Sequence, residues 1–369
     1  MKILYCITSS SWGGAQLHVL ELCKDQVNRG NEVVFVVGNE GPLLDKVKKI
    51  PQVKIVVLKS LHREVSPLND IRAVFELRGL IKKEKPDIVH FHSSKAGTVG
   101  RLANIGLKSK SIFTVHGWAF TDGISSRFKK NVFRLIEKLV APFSDLIICV
   151  SEYDFKIGIR DKVINQDKAV VIHNGVPNPK NFNTSDKTIH NPIRLVMTAR
   201  FSPQKDQKNL INAVSNLNKN DFKLIFVGDG ETLSQNKKLV EELGLQDNVD
   251  FVGFKKDVTP YLKNSDIYIL STNYEGLPIS IIEAMSYALP IIATDVGGNS
   301  ELVINNGYLV HNKGELIDAL NILINNTNLI KKFGIESYKL FKNEYLLQKC
   351  MDKTNEQYEK LLDYRNQKS

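Results

Sequence analysis

The sequence predicts an α/β protein made of two doubly wound parallel-sheet domains that face each other across a cleft. Short apolar runs rich in Val and Ile alternate with longer segments of helical pattern. Nearly continuous hydrophobicity over four to eight residues is typical of strands buried on both faces of a parallel sheet. The alternation breaks once, in a Pro- and Asn-rich stretch at 174–192, and then begins again. A chain of 369 residues is long enough for two such domains.

In the first half, helical segments separate several of the strands, which predicts right-handed βαβ units. Two such segments are AQLHVLELCKDQVNRG (15–30) and DIRAVFELRGLIKKEKP (70–86), and the second stops at Pro86, which cannot continue a helix. The predicted strands are KILYCIT (2–8), EVVFVV (32–37), VKIVVL (53–58), DIVHFH (87–92), SIFTVH (111–116), DLIICVS (145–151) and AVVIHN (169–174).

The segment 174–192 holds three prolines and five asparagines and is predicted to link the domains. We place the domains at 1–180 and 181–345, followed by a helical C-terminal part that ends near 366. The predicted strands of the second half are IRLVMTA (193–199), FKLIFVG (222–228), NVDFVG (248–253), DIYILS (266–271) and PIIATD (290–295).

The net charge of +10 is unevenly distributed along the chain. Residues 1–180 contain 28 Lys and Arg against 17 Asp and Glu, whereas residues 181–369 contain 22 against 23. The basic half indicates either an anionic partner, such as membrane headgroups or a phosphorylated lipid, or a solvated basic surface. Nucleic acid is not expected as a partner, because the sequence contains no matching motif or interleaved aromatic residues.

The cysteines and the N-terminus indicate the compartment. Cys6, Cys23, Cys149 and Cys350 form no C-x-x-C pair and are predicted to be buried thiols, as in a reducing compartment. The N-terminal apolar run is too short for a signal peptide, and no run approaches the length of a transmembrane helix. The expected location is therefore the cytoplasm, with peripheral contact to the inner face of the cell membrane left open.

Candidate ligand-binding residues of the first half follow predicted strands. Gly13 and Gly14 precede a helix and allow its N–H groups to approach an anion, although a tight turn alone would also explain them. His90 and His92 point to the same side of one strand, but no third metal ligand is visible. His116 ends another strand, where it either contacts substrate or serves a structural role.

The second half carries the more specific signals. Arg200 and Lys205 follow its first strand, where two cations suit a diphosphate. Glu275 and Glu283 flank a Gly-Pro loop and suit sugar hydroxyls, while the helix N-terminus beside Gly276 and Leu277 offers N–H groups to phosphate. No D-x-D pair is present to hold a metal–diphosphate complex, which fits charge neutralisation by side chains instead.

These motifs together resemble glycosyltransferase family 4, the retaining family with the GT-B fold. The resemblance covers nearly the whole chain and rests on GGAQ, HFHSSKAGTVGRL, TVHGWAF, VIHNGV, TARFSPQKDQKNL, FVGDGE, EGLPISIIE and TDVGGNSELV in this order.

The resemblance implies a role for each matching residue. Arg200 and Lys205 would hold the donor diphosphate, Glu275 would bind hydroxyls of the transferred sugar and Glu283 those of the ribose. His116 would lie near the transferred sugar, and Gly13 and Gly14 would let a loop close over diphosphate and acceptor. The reaction would need no metal or other cofactor, and the tail at 346–369 would cross back to the first domain. UDP is the expected donor nucleotide by family frequency, and GDP stays open.

In this family the first domain binds the acceptor, and in this chain the first domain is the basic one. We therefore expect the acceptor to be a glycan that is linked to a lipid. The segment RFKKNVFRLIEKLV (127–140) forms a helical stripe of Phe128, Val132, Leu135, Ile136 and Leu139 among basic residues. Such a helix either packs its apolar stripe on its own sheet or lies on an anionic membrane.

Two other functions remain open from the sequence. A nucleotide-sugar epimerase can share this architecture, although the glutamate pair with R-x4-K favours transfer. A non-catalytic nucleotide-sugar-binding subunit would bind nucleotide without turnover. A dinucleotide oxidoreductase is disfavoured by the missing G-x-G-x-x-G.

Overall fold

A computed structural model describes residues 1–121 and 126–366, without the side chains of residues 186 and 364–366. The chain forms two compact units. The first comprises Met1–Asn174 together with the chain from Cys350 onward, and the second comprises Gly175–Lys349. Among the described residues, no helix combines the length and the apolar character needed to cross a bilayer.

Within the described ranges, seven parallel strands build the sheet of the first unit in the order β3-β2-β1-β4-β5-β6-β7. The strands are β1 (Lys2–Ile7), β2 (Glu32–Val37), β3 (Val53–Val57), β4 (Ile88–His92), β5 (Lys110–Val115), β6 (Leu146–Cys149) and β7 (Ala169–Val171). The helices are α1 (Gly14–Asn28), α2 (Pro42–Val47), α3 (Pro67–Glu84), α4 (Ser94–Asn104), α5 (Arg127–Val140) and α6 (Glu152–Arg160).

The second unit repeats the pattern with a six-stranded parallel sheet, again within the described ranges, in the order β10-β9-β8-β11-β12-β13. Its strands are β8 (Ile193–Thr198), β9 (Phe222–Val227), β10 (Val249–Phe251), β11 (Ile267–Leu270), β12 (Ile291–Thr294) and β13 (Gly307–Val310). Its helices are α7 (Gln207–Val214), α8 (Leu233–Glu242), α9 (Thr259–Lys263), α10 (Ile279–Ser286), α11 (Asn299–Leu302), α12 (Lys313–Ile324) and α13 (Thr327–Glu344).

The predicted α/β class with two parallel sheets is confirmed, and the apolar runs are indeed strands. The central strands β1, β4, β8 and β11 are almost entirely buried, as strands covered by helices on both faces must be. The four cysteines are buried free thiols, as predicted. Strand β13 was not predicted, because it has only four residues, three of them half-buried, and begins at a glycine, which makes its apolar signal short.

The helical C-terminal part consists of α13 and α14 (Leu347–Asn366), and the helical conformation is interrupted at Tyr345 and Leu346 between them. From Cys350 on, α14 belongs to the first unit. There the Tyr358 hydroxyl is 2.6 Å from Nδ1 of His90 and 3.1 Å from the hydroxyl of Tyr5. A buried polar network therefore fastens the last helix to two central strands.

Helix α5 corrects one interpretation of its sequence, the packing of the apolar stripe against the sheet. Phe128, Leu135 and Leu139 are 77%, 57% and 63% exposed. The buried face instead holds Glu137, whose Oε2 lies 2.7 Å from the guanidinium of the buried Arg101. Since a buried charge needs its partner, this ion pair fixes the rotation of α5 and leaves the stripe outside.

Candidate active site

The second sheet has its topological switch point between β8 and β11, where the chain leaves a central strand in opposite directions. Loops that follow two such strands diverge and leave a crevice in which ligands of open α/β sheets bind. The loop after β8 carries Arg200 and Lys205, and the loop after β11 carries Glu275, Gly276 and Leu277. The predicted residues of this half thus lie at one sheet edge.

The structure brings Lys205 and Glu275 into direct contact. The Lys205 ammonium forms an ion pair with Oε1 of Glu275, and both side chains are largely buried. The hydroxyl of Thr272 donates a hydrogen bond of 2.9 Å to the same Oε1. A cation and a carboxylate are thus held side by side at the switch point, where water screens them less than it would on the surface.

Hydrogen bonds to backbone carbonyls join the loops at this edge. Asn273 N–H donates to the carbonyl of Gln204 at 2.7 Å, and the side-chain amide of Gln204 donates to the carbonyl of Tyr274 at 2.8 Å. The loop after β12 approaches as well, because Gly298 N–H donates to the carbonyl of Gly276 at 2.8 Å. These bonds fix the position of the loop that carries Glu275.

Gly297 is required for that approach. Its φ of +59° is left-handed, and a Cβ there would lie 2.0 Å from the Glu275 carbonyl oxygen. A larger residue would therefore push the loop of Glu275 outward. The sequence shows this glycine in TDVGGNSELV, but nothing local reveals which backbone it approaches.

Glu283 lies in the second turn of α10, which begins just after Gly276, Leu277 and Pro278. Burial raises the pKa of the Glu283 carboxyl to about 7, and the charge of Asp257 adds to the effect. A carboxyl that titrates near neutral pH inside a crevice is typical of functional sites. Asp257 was not among the predicted residues, since it lies in a polar loop with no motif.

Arg200 is exposed, and the structure shows no ion pair for it among the described residues. Its loop is packed closely against the loop after β9, where a Cβ on Gly230 would lie 2.2 Å from the carbonyl oxygen of Phe201. The side-chain amide of Gln207 donates to the carbonyl of Arg200 at 2.9 Å and orders the backbone there.

In the first unit, three histidines cluster where strands end at the carboxyl edge. Nδ1 of His92 and Nε2 of His116 are 3.1 Å apart, and the His18 ring lies 5.2 Å from that of His116 between centroids. Burial lowers the pKa of all three, to about 4 for His18, so all are neutral near pH 7. The sequence did not reveal His18, because it sits on the apolar face of α1 and reads as core.

Gly13 and Gly14 lie where predicted, at the N-terminus of the 15-residue helix α1. A Cβ on Gly13 would lie 3.0 Å from Oε1 of Gln16, so the position is tight but its backbone is ordinary extended chain. The helix N-terminus presents its first N–H groups at the switch point between β1 and β4.

The contacts of His90 and His92 do not favour metal binding by this pair. Their rings face the same side, 4.3 Å apart, but the two ring nitrogens of His90 are engaged by Tyr358 and Thr114. In the described part of the chain, no group of three or more His, Cys, Asp or Glu residues is arranged to hold a metal ion.

Comparison with known proteins identifies the family to which this architecture belongs. Residues 12–178 match the profile described as Glycosyltransferase Family 4, and residues 180–340 match Glycosyl transferases group 1. An Escherichia coli protein named UDP-Gal:alpha-D-GlcNAc-diphosphoundecaprenol alpha-1,3-galactosyltransferase is 30% identical over 82% of this chain and 81% of its own length. The chain belongs to the family 4 glycosyltransferases.

Other matches agree with this family. The glycosyltransferase is 29% identical to the Escherichia coli O-antigen biosynthesis glycosyltransferase WbnH over 84% of this chain and 85% of the relative. Among solved structures, Anabaena HepE in complex with UDP has a TM-score of 0.81 at 20% identity, covering 98% of this chain and 100% of HepE. Sucrose-phosphate synthase from Thermosynechococcus elongatus has a TM-score of 0.84 at 17% identity, covering 98% and 99%. These likenesses show the GT-B fold.

Proposed function

We propose that this glycosyltransferase moves a hexose or N-acetylhexosamine from a UDP-sugar to a lipid-linked glycan, with retention of anomeric configuration and without a metal. The observation that carries the proposal is the Lys205–Glu275 pair at the switch point of the second sheet. A fixed cation beside a fixed carboxylate suits a ligand that has a diphosphate at one end and sugar hydroxyls at the other.

The residues divide the chemistry between them. As the bond from the anomeric carbon to the diphosphate breaks, negative charge grows on UDP, and Arg200 and Lys205 stabilise it. Glu275 accepts hydrogen bonds from the transferred sugar and Glu283 from the ribose. His116 contributes from the first unit as a neutral imidazole, which can donate or accept a hydrogen bond at the transferred sugar. Gly13 and Gly14 bring backbone N–H groups to the diphosphate.

The relatives support the choice of donor and acceptor. The galactosyltransferase relative is named for UDP-Gal and for GlcNAc-diphosphoundecaprenol, a lipid-linked acceptor. HepE is described with UDP and with UDP-glucose. A hydrophobic acceptor of this kind would bring the enzyme to the inner face of the cell membrane.

The first test is thermal unfolding with UDP, GDP, ADP, CMP, NAD and a panel of UDP-sugars. A nucleotide at a concentration of a hundred times its dissociation constant stabilises the folded protein by about 2.7 kcal/mol. We expect UDP to raise the melting temperature of the wild type, and Lys205→Ala and Glu283→Ala to lose most of that shift. Lys208→Ala changes an exposed lysine in the first turn of α7; it is the matched control and should respond like the wild type.

Stabilisation by NAD alone, or an equal UDP shift in Lys205→Ala and the control, would contradict the proposal. Turnover then separates the remaining alternatives. An epimerase would convert one UDP-sugar into another with no acceptor present. A non-catalytic subunit would bind the nucleotide but would release no UDP from a UDP-sugar. Retention is checked by NMR of the product, because an α-linked product from an α-linked donor shows it.

A further inference from the structure

The outer surface of the first unit carries exposed apolar side chains on two helices, α3 and α5, each of which packs against α4. On α3, Leu68, Ile71 and Phe75 are 83%, 57% and 70% exposed. On α5, Phe128, Leu135 and Leu139 are exposed to a similar degree. We name these six side chains the outer apolar face. Six large apolar residues so exposed on two helices are more than the scattered exposure of an ordinary surface.

The fold directs both stripes to the same side. The crossovers after β3, β4 and β5 all run toward β7, and right-handed crossovers in one direction place their helices on one face of the sheet. On α3 the residues toward the sheet are Ala73, Leu77 and Ile81, and on α5 they include Glu137 and Val140. The exposed stripes lie on the opposite side of each helix and therefore point away from the sheet together.

Basic side chains flank the α5 part of this face. Arg127, Lys129 and Lys138 of α5 are exposed, and the only acid of that helix, Glu137, is buried against Arg101. Beside α5 lies a cavity of about 490 Å³ lined by Lys130, Arg134, Lys156 and Arg160, with Phe120 and Tyr153 among its other walls. Among the lining residues that the structure describes, the carboxylate is Asp161, whose oxygens lie 2.9 Å from the guanidinium groups of Arg134 and Arg160. The described lining therefore holds more basic than acidic side chains.

We propose that the outer apolar face docks on an anionic phospholipid bilayer and that the cavity between α5 and α6 binds a lipid phosphate. Apolar side chains that enter the acyl boundary, flanked by lysines and arginines at headgroup level, are the features of an interfacial helix. Each basic residue near the surface of an anionic leaflet adds to the attraction. The commitment to a membrane rests in part on the proposed lipid-linked acceptor.

The charge also argues against a second copy of this chain as the occupant. A two-fold dimer through this face would place the same surface on both sides of the interface, so lysines and arginines would meet lysines and arginines. Like charges brought together across an interface are unfavourable. An anionic surface complements the face, and a bilayer is wide enough to meet both helices.

The test is sedimentation of the full chain with vesicles of phosphatidylcholine alone or mixed with phosphatidylglycerol. The wild type should sediment only with the anionic vesicles, and less in about 0.5 M than in about 0.05 M NaCl, because salt screens exposed charges. The triple variant Phe128→Ser, Leu135→Ser, Leu139→Ser should bind at least about tenfold more weakly, since each change removes an exposed apolar side chain from the bilayer. The triple variant Ile304→Ser, Ile322→Ser, Ile335→Ser changes exposed residues of the second unit and should bind like the wild type.

A charge pair of variants tests the cavity. Lys156→Glu with Arg160→Glu should weaken binding to anionic vesicles, whereas Lys237→Glu with Lys238→Glu on α8 makes the same change in net charge and should have a smaller effect. A wild type that ignores anionic vesicles at low salt, or an α5 variant that binds undiminished, would overturn the proposal. So would a dimer in sedimentation velocity that the α5 variant abolishes.

The UDP-dependent thermal shift, measured on the same proteins, separates this proposal from the proposed function. The face variants should keep the full shift, since they change no residue of the second unit and only exposed side chains of the first. Vesicle binding without a UDP shift would support the surface and contradict the proposed function. The reverse result would overturn the surface alone.

Discussion

Glu283 is the residue whose ionisation should be visible in a binding experiment. Its carboxyl titrates near pH 7 because burial disfavours the charged form, and the charge of Asp257 disfavours it further. Below that pH the carboxyl is mainly protonated, and above it a carboxylate accepts stronger hydrogen bonds from hydroxyl groups. The proposed ribose contact should therefore strengthen as the pH rises.

We expect the affinity for UDP-glucose to increase between about pH 6 and pH 8. The diphosphate of this ligand does not titrate in that range, so the change reports on the protein. Calorimetry should show a flat profile for Glu283→Gln, and a rise displaced to lower pH for Asp257→Asn, which removes the repelling charge. An unchanged slope in Glu283→Gln would remove Glu283 from the binding site.

Single residues also show which contacts can be predicted from the sequence and which cannot. Lys205 and Glu275 are 70 positions apart, and their proximity follows from strand order, since both loops leave the switch point of one sheet. Thr272, which donates to Glu275, has no signal of its own, because a threonine after a strand is ordinary. Side-chain contacts of this kind depend on three-dimensional packing that no local pattern encodes.

At the scale of elements, most strands were predictable because each is a nearly continuous apolar run between polar turns. Helix α5 shows the opposite case. Its spacing predicts an apolar stripe, but the direction in which the stripe points depends on Glu137 and Arg101, which are 36 residues apart. An ion pair between helices that are distant in sequence does not alter the hydrophobic periodicity of either helix, so that periodicity cannot predict it.

The stability that helix α14 gives to the first unit should depend on the hydroxyl group of Tyr358. Tyr358→Phe removes the group that contacts both His90 and Tyr5 and leaves these buried atoms with one partner fewer. Unfolding in urea should show a loss of about 1–3 kcal/mol. Lys353→Ala, at an exposed position of the same helix, provides the control.

A loss equally large in the control would show that α14 tolerates no change rather than that Tyr358 anchors it. An unchanged free energy of unfolding in Tyr358→Phe would show that the hydroxyl network contributes nothing net.

At the scale of the whole molecule, the two compact units should respond differently to nucleotide. The residues assigned to the UDP moiety lie mainly in the second unit, Gly175–Lys349. Hydrogen exchange with saturating UDP should therefore slow in the loops after β8, β9 and β11, while strands β2, β3 and β7 of the first unit exchange as before. A ligand stabilises the regions that must open before it can leave.

Protection that spreads evenly through the strands of the first unit would contradict this assignment and would place the nucleotide site there. Lys205→Ala is the control, since it should lose the protection of the loops without changing exchange in the unliganded protein elsewhere.

The return of the chain to the first unit at Cys350 has a consequence for synthesis. The second unit is, in topology, an insertion within the first, and all of its residues emerge from the ribosome before α14 exists. Tyr5 and His90 are made early but acquire Tyr358 only after the whole second unit has been synthesised. The second unit can thus be completed while α14 is still being made, whereas the first closes its polar network only once α14 has left the ribosome.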